Sequence, residues 1–555
     1  MYDLVVDANQ RDFRKATPAV TNPMLPLPGL SPVGAKKIIA QFDGGLLSSD
    51  AGVLVLREVE QRLRVAERMA ACIVDPRAPE QITHTLADII CFRLLMIAGG
   101  YEDGNDANSL RVDPIFKMAH DLSPSDRDLC SQSTISRLEN LPDARALLRM
   151  GRAMIDLYCE SFTQVPKRIT LDIDDMFDAV HGGQQLRLFN AHYDEYGFQP
   201  IVVFDGAGRF VTAVLRPARR PGGREIRAFL RRLLRAIRSH WPKTEILLRA
   251  DSHYCTPETI DFCRANGLDF IFGVAPTSTL RGHILALEAK ATAMFEAAPK
   301  NSKVRRFKEF FDGAQSWSRV ERIVARVEAG ADGPDTRFVV TNLSTRNARR
   351  LYEDVYCRRG QAENHIKSWK THLAADRTSC MKASANQLRL FLHAGAYWLM
   401  WGLRQSMPRR SMWRVAQFDT LRLRLIKIAA RVVEMKTMIR VHLPTACCGQ
   451  DILRFALETI PRLATGAAGR DAPKTKPIPS THKPLPLRTL VMPPVPKMHG
   501  GATENPRSHH PKTAPQAARS SKRCIMRANC LQNRSTPGFA ANSIAPVYQF
   551  QQFRI

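Results

Sequence analysis

Between Lys167 and Pro276 the chain alternates extended and helical runs in an order that few architectures accommodate. KRITLDIDDMF (167–177), LRLFNAHYD (186–194) and QPIVVFDGAGRFVTAVLRPA (199–218) are β-rich, are separated by turn residues, and read as three neighbouring strands. An Arg-heavy amphipathic helix (222–240), the extended run KTEILLRAD (243–251), a short helix in TPETIDFCRANG (256–267) and a last strand, LDFIFGVAP (268–276), follow. The order β-β-β-α-β-α-β predicts an α/β domain built on a mixed sheet.

Around this segment the pattern changes. KKIIAQFDGGLLSSDAGVLVLREVEQRL places a two-glycine turn and Ser-Asp ahead of an amphipathic helix, so order begins near residue 36. LADIICFRLLMIAGG reads as a helix capped at Gly99 and Gly100. SQSTISRLEN reads as a helix carrying Arg137, either for DNA contact or as simple surface charge behind a Ser-rich start. Residues 281–350 read as two charged helical stretches followed by the strands RVERIVARVEA and TRFVVTNLS, an insertion into the domain. LRLFLHAGAYWLMWGL (388–403) is shorter than a membrane span, contains His393, and reads as a buried helix.

Lys and Arg outnumber Asp and Glu by 81 to 53, a formal charge of +28, and the excess is spread along the chain. A polyanionic partner is the simplest account, against the alternative of a merely Arg-rich surface. Twelve cysteines are scattered without C-x-x-C spacing, which suits a reducing compartment and gives no structural zinc site. The start, MYDLVVDANQRDFRK, carries charges where a signal peptide needs an apolar core, so a cytoplasmic location without membrane contact is expected.

Against this basic background a few acids stand out. Asp172 and Asp174 lie two apart on the first strand and share a face, while Asp175 points away; Asp251 ends the strand ILLRAD. If those strands are neighbours, their acids converge. On a helix through YCRRGQAENHIKSWK, Tyr356, Arg359, Glu363 and Lys370 fall within roughly 60 degrees of one another, so Glu363 can complete a site flanked by cations and a phenol. Three clustered carboxylates repel unless a cation neutralises them, and Mg²⁺ takes such oxygen ligands in the two-ion sites of phosphoryl transfer. The alternative is solvated aspartates and an ordinary surface helix with an i,i+4 ion pair.

The strand order, the acid on the first strand, RADSHY at the fourth, and Tyr356, Arg359, Glu363 and Lys370 at intervening gaps of two, three and six residues resemble bacterial insertion-sequence transposases. These are the ribonuclease-H-like, DDE-type enzymes of the Tyr-Arg-Glu-Lys signature group, and the resemblance extends over about residues 36–455. It implies a ribonuclease-H-like catalytic domain in which Asp174, Asp251 and Glu363 bind two Mg²⁺ ions, or Mn²⁺ in substitution, with Asp172 the rival of Asp174 at the first position. Tyr356, Arg359 and Lys370 would contact phosphates. Met176 and His253 stand where small residues are usual.

The resemblance further implies cleavage at the inverted-repeat ends of a mobile element and attack of the freed 3′-hydroxyl on target DNA, in cut-and-paste fashion, through self-association in a synaptic complex. A nuclease that cuts without joining, or a decayed DNA-binding protein, is the alternative. The expected organisation is a poorly ordered segment (1–35), a mainly helical DNA-end-binding region (36–165), the first part of the catalytic domain (166–280), an inserted subdomain (281–350), catalytic helices with a basic segment (351–455), and a disordered Pro-rich, basic tail (456–555). Of the remaining polar and aromatic candidates, His253 reads as a capping group, Gln184 and Gln185 beside His181 as possible DNA contacts, and Trp369 and Trp398 as core, with base stacking the alternative for Trp369.

Overall fold

The computed structural model describes Leu27 and residues 29–297, 303–344 and 347–465. Most of the expected N-terminal segment, and the tail beyond residue 465, lie outside the described residues. The helix Gln450–Thr459 runs across the boundary expected at 455.

A mixed eight-stranded sheet organises the molecule. In chain order its strands are β1 (Arg168–Asp175), β2 (Ile201–Asp205), β3 (Phe210–Val214), β4 (Glu245–Ala250), β5 (Asp269–Val274), β6 (Val304–Asp312), β7 (Glu321–Gly330) and β8 (Gly333–Thr341). Their spatial order is β6-β7-β8-β5-β4-β1-β2-β3. β1, β2 and β3 are antiparallel neighbours, β4 joins β1 in parallel, and β5 joins β4 in parallel. Helix connections separate the parallel strands, as chain geometry requires.

Two expectations need correction here. LRLFNAHYD does not enter the main sheet: Leu188–Asn190 pairs with Glu195–Phe198 in a separate three-stranded sheet that also takes Asp178–Ala179. A tight turn closed by Asp194, with φ of 54°, folds this short strand back on its successor. The third main strand comes instead from QPIVVFDGAGRFVTAVLRPA, which is a hairpin of β2 and β3. Asp205 makes its turn by accepting the Ala207 and Arg209 N–H groups at 2.9 and 2.8 Å, with Gly208 in the left-handed region at φ 80°.

The residues expected to form an inserted subdomain likewise extend the main sheet, because β8 pairs antiparallel with β5. One stretch there read as a charged helix, VRRFKEFFD, is strand β6. RVERIVARVEA and TRFVVTNLS form β7 and β8 as expected.

Both faces of the sheet are covered. One carries Leu171, Ile246 and Leu248 against Leu230, Leu233, Leu234 and Ile237 of the crossover helix, residues 223–240. The other carries Leu247, Ile271, Val324 and Val339 against Leu351, Tyr352 and Val355. Alternation along β1 therefore turns Asp172 away from the crossover helix and toward the segment that leads to Glu363.

A helical layer closes the domain. It includes α1 (Val53–Leu63), α2 (Leu86–Gly99), α3 (Ala144–Glu160), α4 (Gly223–His240), α5 (Pro257–Ala265), α6 (Gly360–Lys367) and α7 (Ala383–Gln405). α2 starts on a Thr85–Asp88 capping box and ends at Gly100 with φ 94°, the stop anticipated from the two glycines. α7 is buried along most of its length, and Trp369 and Trp398 are both fully buried, which excludes base stacking by Trp369. Close helix approach explains two glycines of α7: a Cβ at Gly395 would lie 2.7 Å from Leu94, and one at Gly402 would lie 2.6 Å from Val59. The basic segment after α7 forms a hairpin, Ala430–Glu434 with Ile439–His442, on which Leu46–Ser48 adds a third strand.

One acid in this layer is held at a cost. Glu60 of α1 accepts the Ala66 N–H at 2.7 Å through Oε1, but its buried Oε2 has no partner. Burial pushes its pKa from 4.5 to about 8. Between those values the unfolded chain releases the proton and the folded chain keeps it, so the contribution to stability is present below about pH 4.5 and is lost as pH rises through 8. Glu60→Gln keeps the accepting oxygen and removes the ionisation. It is expected to raise Tm by a few degrees at pH 8 and by less at pH 5 in thermal scans; an equal shift at both pH values would refute the assignment.

Candidate active site

The site begins with a register. Parallel pairing sets Asp172 of β1 opposite Arg249 of β4. Their side chains form a two-point ion pair, with Arg249 Nε 2.6 Å from Asp172 Oδ1 and Nη2 2.7 Å from Oδ2. Asp172 is 2% exposed and Arg249 is 4% exposed. Burial raises the Asp172 pKa despite Arg249. The third guanidinium nitrogen donates to the Val355 carbonyl at 2.8 Å, tying the strand pair to the segment that precedes Glu363.

Two residues farther along the same edge the site opens. Asp174 Oδ2 receives Arg359 Nη2 at 2.8 Å, and its Oδ1 accepts the Asp175 N–H at 3.0 Å. Burial pushes the Asp174 pKa up to about 7; Arg359 works against that shift, while Asp251 adds to it. Asp251 directly follows β4 and accepts the His253 N–H at 2.9 Å. The His253 Nδ1 lies 3.5 Å from Asp175 and 3.9 Å from Asp251. The Asp175 carboxylate raises the pKa of this imidazole, against partial burial. Gln199, two residues ahead of β2, steadies Asp175 with a 2.8 Å hydrogen bond.

Among the described residues, Asp175, Asp251 and His253 form a group whose ligand atoms all lie within 4.8 Å of one another. The sequence pattern points elsewhere, with Asp175 on the opposite face and His253 as a cap. Asp175 is the last residue of β1, still paired with Ile201, and His253 lies in the turn after β4, so the two meet where the neighbouring strands end.

The four signature residues do not lie on one regular α-helix. Their segment runs through a π turn (Leu351–Tyr356), a 3₁₀ turn (Cys357–Arg359), α6, and a second π turn (Ser368–His372), so a uniform 100 degrees per residue fails. Three of the four nevertheless reach the same sheet edge. Tyr356 Oη lies against Gly273 of β5, where a Cβ would stand 2.7 Å away; Arg359 meets Asp174; and Lys370 Nζ donates to the Phe177 carbonyl just past β1. Glu363 is exposed and has no hydrogen bond or ion pair among the described residues. It rides on α6, which packs against β2, the neighbour of β1.

The other candidates divide. Arg137 is exposed on the helix Gln132–Glu139. Gln184 is buried and accepts from Asn386 at 3.3 Å, and Gln185 accepts the Ala383 N–H at 3.2 Å, so both brace the start of α7 instead of presenting their amides to DNA. An aromatic pair not anticipated from sequence lies beside the acids: Phe177 and Tyr193 stack at 4.1 Å, and burial raises the Tyr193 pKa, with Asp175 and Asp174 adding to the shift. Arg249 is another site residue that the acid pattern does not single out. A buried arginine inside the apolar run ILLRAD requires an acid partner, and that requirement is the signal that would have found it.

Residues 30–465 match a family model described as transposase DDE domain group 1. No curated protein matches the chain. Among solved structures, a piggyBac transposase synaptic complex with hairpin DNA, determined by cryo-EM, aligns over 74% of this chain and 85% of that one, at 12% identity and a TM-score of 0.31. A likeness that remote carries no inference about the site.

Breaking one side of the Asp172–Arg249 pair leaves a buried charge alone. Asp172→Leu and Arg249→Met are each expected to lose about 3–5 kcal/mol in denaturant unfolding, whereas the double variant loses much less than their sum. Additive losses would show that the two groups are not coupled.

Proposed function

This chain belongs to the family of group 1 transposase DDE domains, and from that premise we propose that it is a DNA transposase of the ribonuclease-H-like, insertion-sequence type. It cuts the inverted-repeat ends of its own element and joins them to target DNA. The observation that carries this proposal is the parallel pairing of β1 with β4, which gathers Asp174 and Asp251 at one sheet edge beside the segment bearing Arg359 and Glu363. The order β3-β2-β1-β4-β5, antiparallel on one side of β1 and parallel on the other, supports the ribonuclease-H-like assignment.

The donor set fits a hard divalent ion. Carboxylate oxygens dominate it, as Mg²⁺ and Mn²⁺ prefer. The burial that pushes Asp174 to about 7 is the kind of penalty a divalent cation relieves. In the proposed centre Asp174, Asp251 and Glu363 would hold two ions, with Asp175 and His253 close to Asp251. Asp172 is left out of the ligand set, because Arg249 occupies both of its oxygens. When bound, the ions supply Lewis acidity for phosphodiester cleavage and transfer.

The chain's own residues bind and orient the DNA. Arg359 has a buried Nε without a hydrogen-bond partner, and its planar fork suits a phosphate. Lys370 adds a point charge next to Phe177. Tyr356 offers its hydroxyl from a position that only a glycine at 273 permits. Arg137 presents a cation from the helical region expected to bind element ends. Processing two ends together calls for self-association in a synaptic complex, and coordinated release of both ends gives cut-and-paste movement.

The test uses labelled DNA carrying the sequences that flank the gene, incubated with Mg²⁺ or with chelator. The wild type is expected to give Mg²⁺-dependent nicks and strand-transfer products. Asp174→Asn, Asp251→Asn and Glu363→Ala are each expected to lower the rate by about 10³-fold or more, as removal of several kcal/mol of Lewis-acid stabilisation requires, while DNA binding survives. Cleavage without joined products would favour a nuclease. Binding without cleavage would favour a decayed DNA-binding protein, and full activity of Glu363→Ala would remove that residue from the chemistry.

A further inference from the structure

The crossover helix α4 carries a charge pattern that the acid site does not use. Its apolar side, Ile226, Phe229, Leu230, Leu233 and Ile237, is buried. Arg224, Arg227, Arg231 and Arg235 are exposed, at offsets of three, four and four residues, and so fall within about 80 degrees of the helix circumference. Arg232 is exposed beside them. None of these five has an ion pair or hydrogen bond among the described residues. The one acid of the helix, Glu225, is taken by Arg216 at 2.6 and 2.9 Å.

Like charges at these spacings destabilise a helix when nothing neutralises them. They are not an isolated surface feature, because the stripe begins at the rim of the acid site. Arg219 and Arg220 are exposed just ahead of α4, and Arg220 Nη2 donates to the Ser252 carbonyl at 2.7 Å, between Asp251 and His253. The helix start is held to the same turn region: Gly223 sits against Thr256 and Glu258, where a Cβ would lie 2.6 and 2.1 Å away. From Arg224 to Arg235 the stripe is about 16 Å long at 1.5 Å per residue. A DNA duplex presents roughly ten phosphate charges over that length.

We propose that the exposed face of α4, entered through Arg220, is a DNA-backbone track that holds duplex DNA leading away from the acid site. This inference rests on the transposase reading and adds to it a surface outside the catalytic edge. Arginine suits the task, since its fork binds phosphate oxygens in pairs and stays charged at any physiological pH. The contact reads charge rather than sequence, so the DNA can be either the element's own end or the target; both present the same backbone.

The experiment compares the wild type with the quadruple variant Arg224→Gln, Arg227→Gln, Arg231→Gln, Arg235→Gln. Binding to two duplexes, one carrying the DNA that flanks the gene and one of unrelated sequence, is measured against salt concentration with chelator present. Each lost phosphate contact lowers the slope of log affinity against log salt by about 0.9, so the variant's slope is expected to be shallower by about 3 to 4. Its Tm is expected to hold or rise, because repulsion along α4 is relieved. A shallower slope on both duplexes identifies the track as a general backbone contact, as target DNA requires. A change on the flanking duplex alone assigns it to the element end. Unchanged slopes on both duplexes overturn the proposal, as does a variant that loses affinity only by unfolding. A wild type that binds DNA with strong salt dependence but never cleaves it would defeat the transposase reading and leave the track standing.

Discussion

The buried pair between Asp172 and Arg249 is the contact on which the site's geometry depends. Two charges removed from water hold each other only when the hydrogen bonds are complete, and here all four relevant atoms are within 2.7 Å of their partners. The pair does more than join two strands. It fixes the parallel register of β1 and β4, so the acids two residues beyond it must emerge together at one edge. Through the Val355 carbonyl it also anchors the segment that delivers Tyr356, Arg359 and Glu363. A shift of one residue in that register would turn Asp174 to the opposite face.

The sheet around this contact extends well beyond the strands that carry the acids. Strands β6, β7 and β8 continue it beyond β5, and their inward residues Val324 and Val339 share a core with Leu351, Tyr352 and Val355. The apparent insertion is thus part of the support for the π and 3₁₀ turns ahead of α6. From that supported segment Tyr356 reaches Gly273 and Arg359 reaches Asp174.

How much of this could be read from residues alone depended on whether a signal was local. The hydrophobic runs of β1, β4 and β5, the amphipathic α4, the glycine stop of α2 and the buried α7 are local patterns, and each marks its element. Pairing is not local. LRLFNAHYD has the composition of a strand, but only the turn at Asp194 decides that it folds onto Glu195–Phe198 and leaves the place beside β1 to β2. VRRFKEFFD mixes charges and aromatics in a way compatible with either period, and its pairing with β7 settles the matter. At the site, the chemical types were legible and their distribution was not. Asp172 and Asp174 look equivalent in sequence, whereas in the fold one is committed to Arg249 and the other faces Arg359. Asp175 and His253 enter the cluster because the end of β1 lies beside the turn after β4, a juxtaposition that no local pattern shows.

The distribution of charge follows from the same constraint. A chain with an excess of 81 basic over 53 acidic side chains has no shortage of cations to neutralise buried acids, so an acid left only partly compensated marks a position where compensation by the protein is incomplete. Asp172 receives two nitrogens of one guanidinium, Nε and Nη2 of Arg249; Asp174 receives a single Arg359 nitrogen and remains shifted to about 7 by burial and by Asp251. Arg359 in turn keeps an unpartnered Nε. The edge therefore holds a carboxylate whose charge burial disfavours beside a guanidinium with an unpartnered Nε, in the geometry that Asp172, Arg249 and Val355 impose. A cation beside the carboxylates would relieve the first and a phosphate beside the arginine the second, which is the combination that the proposed activity on DNA requires.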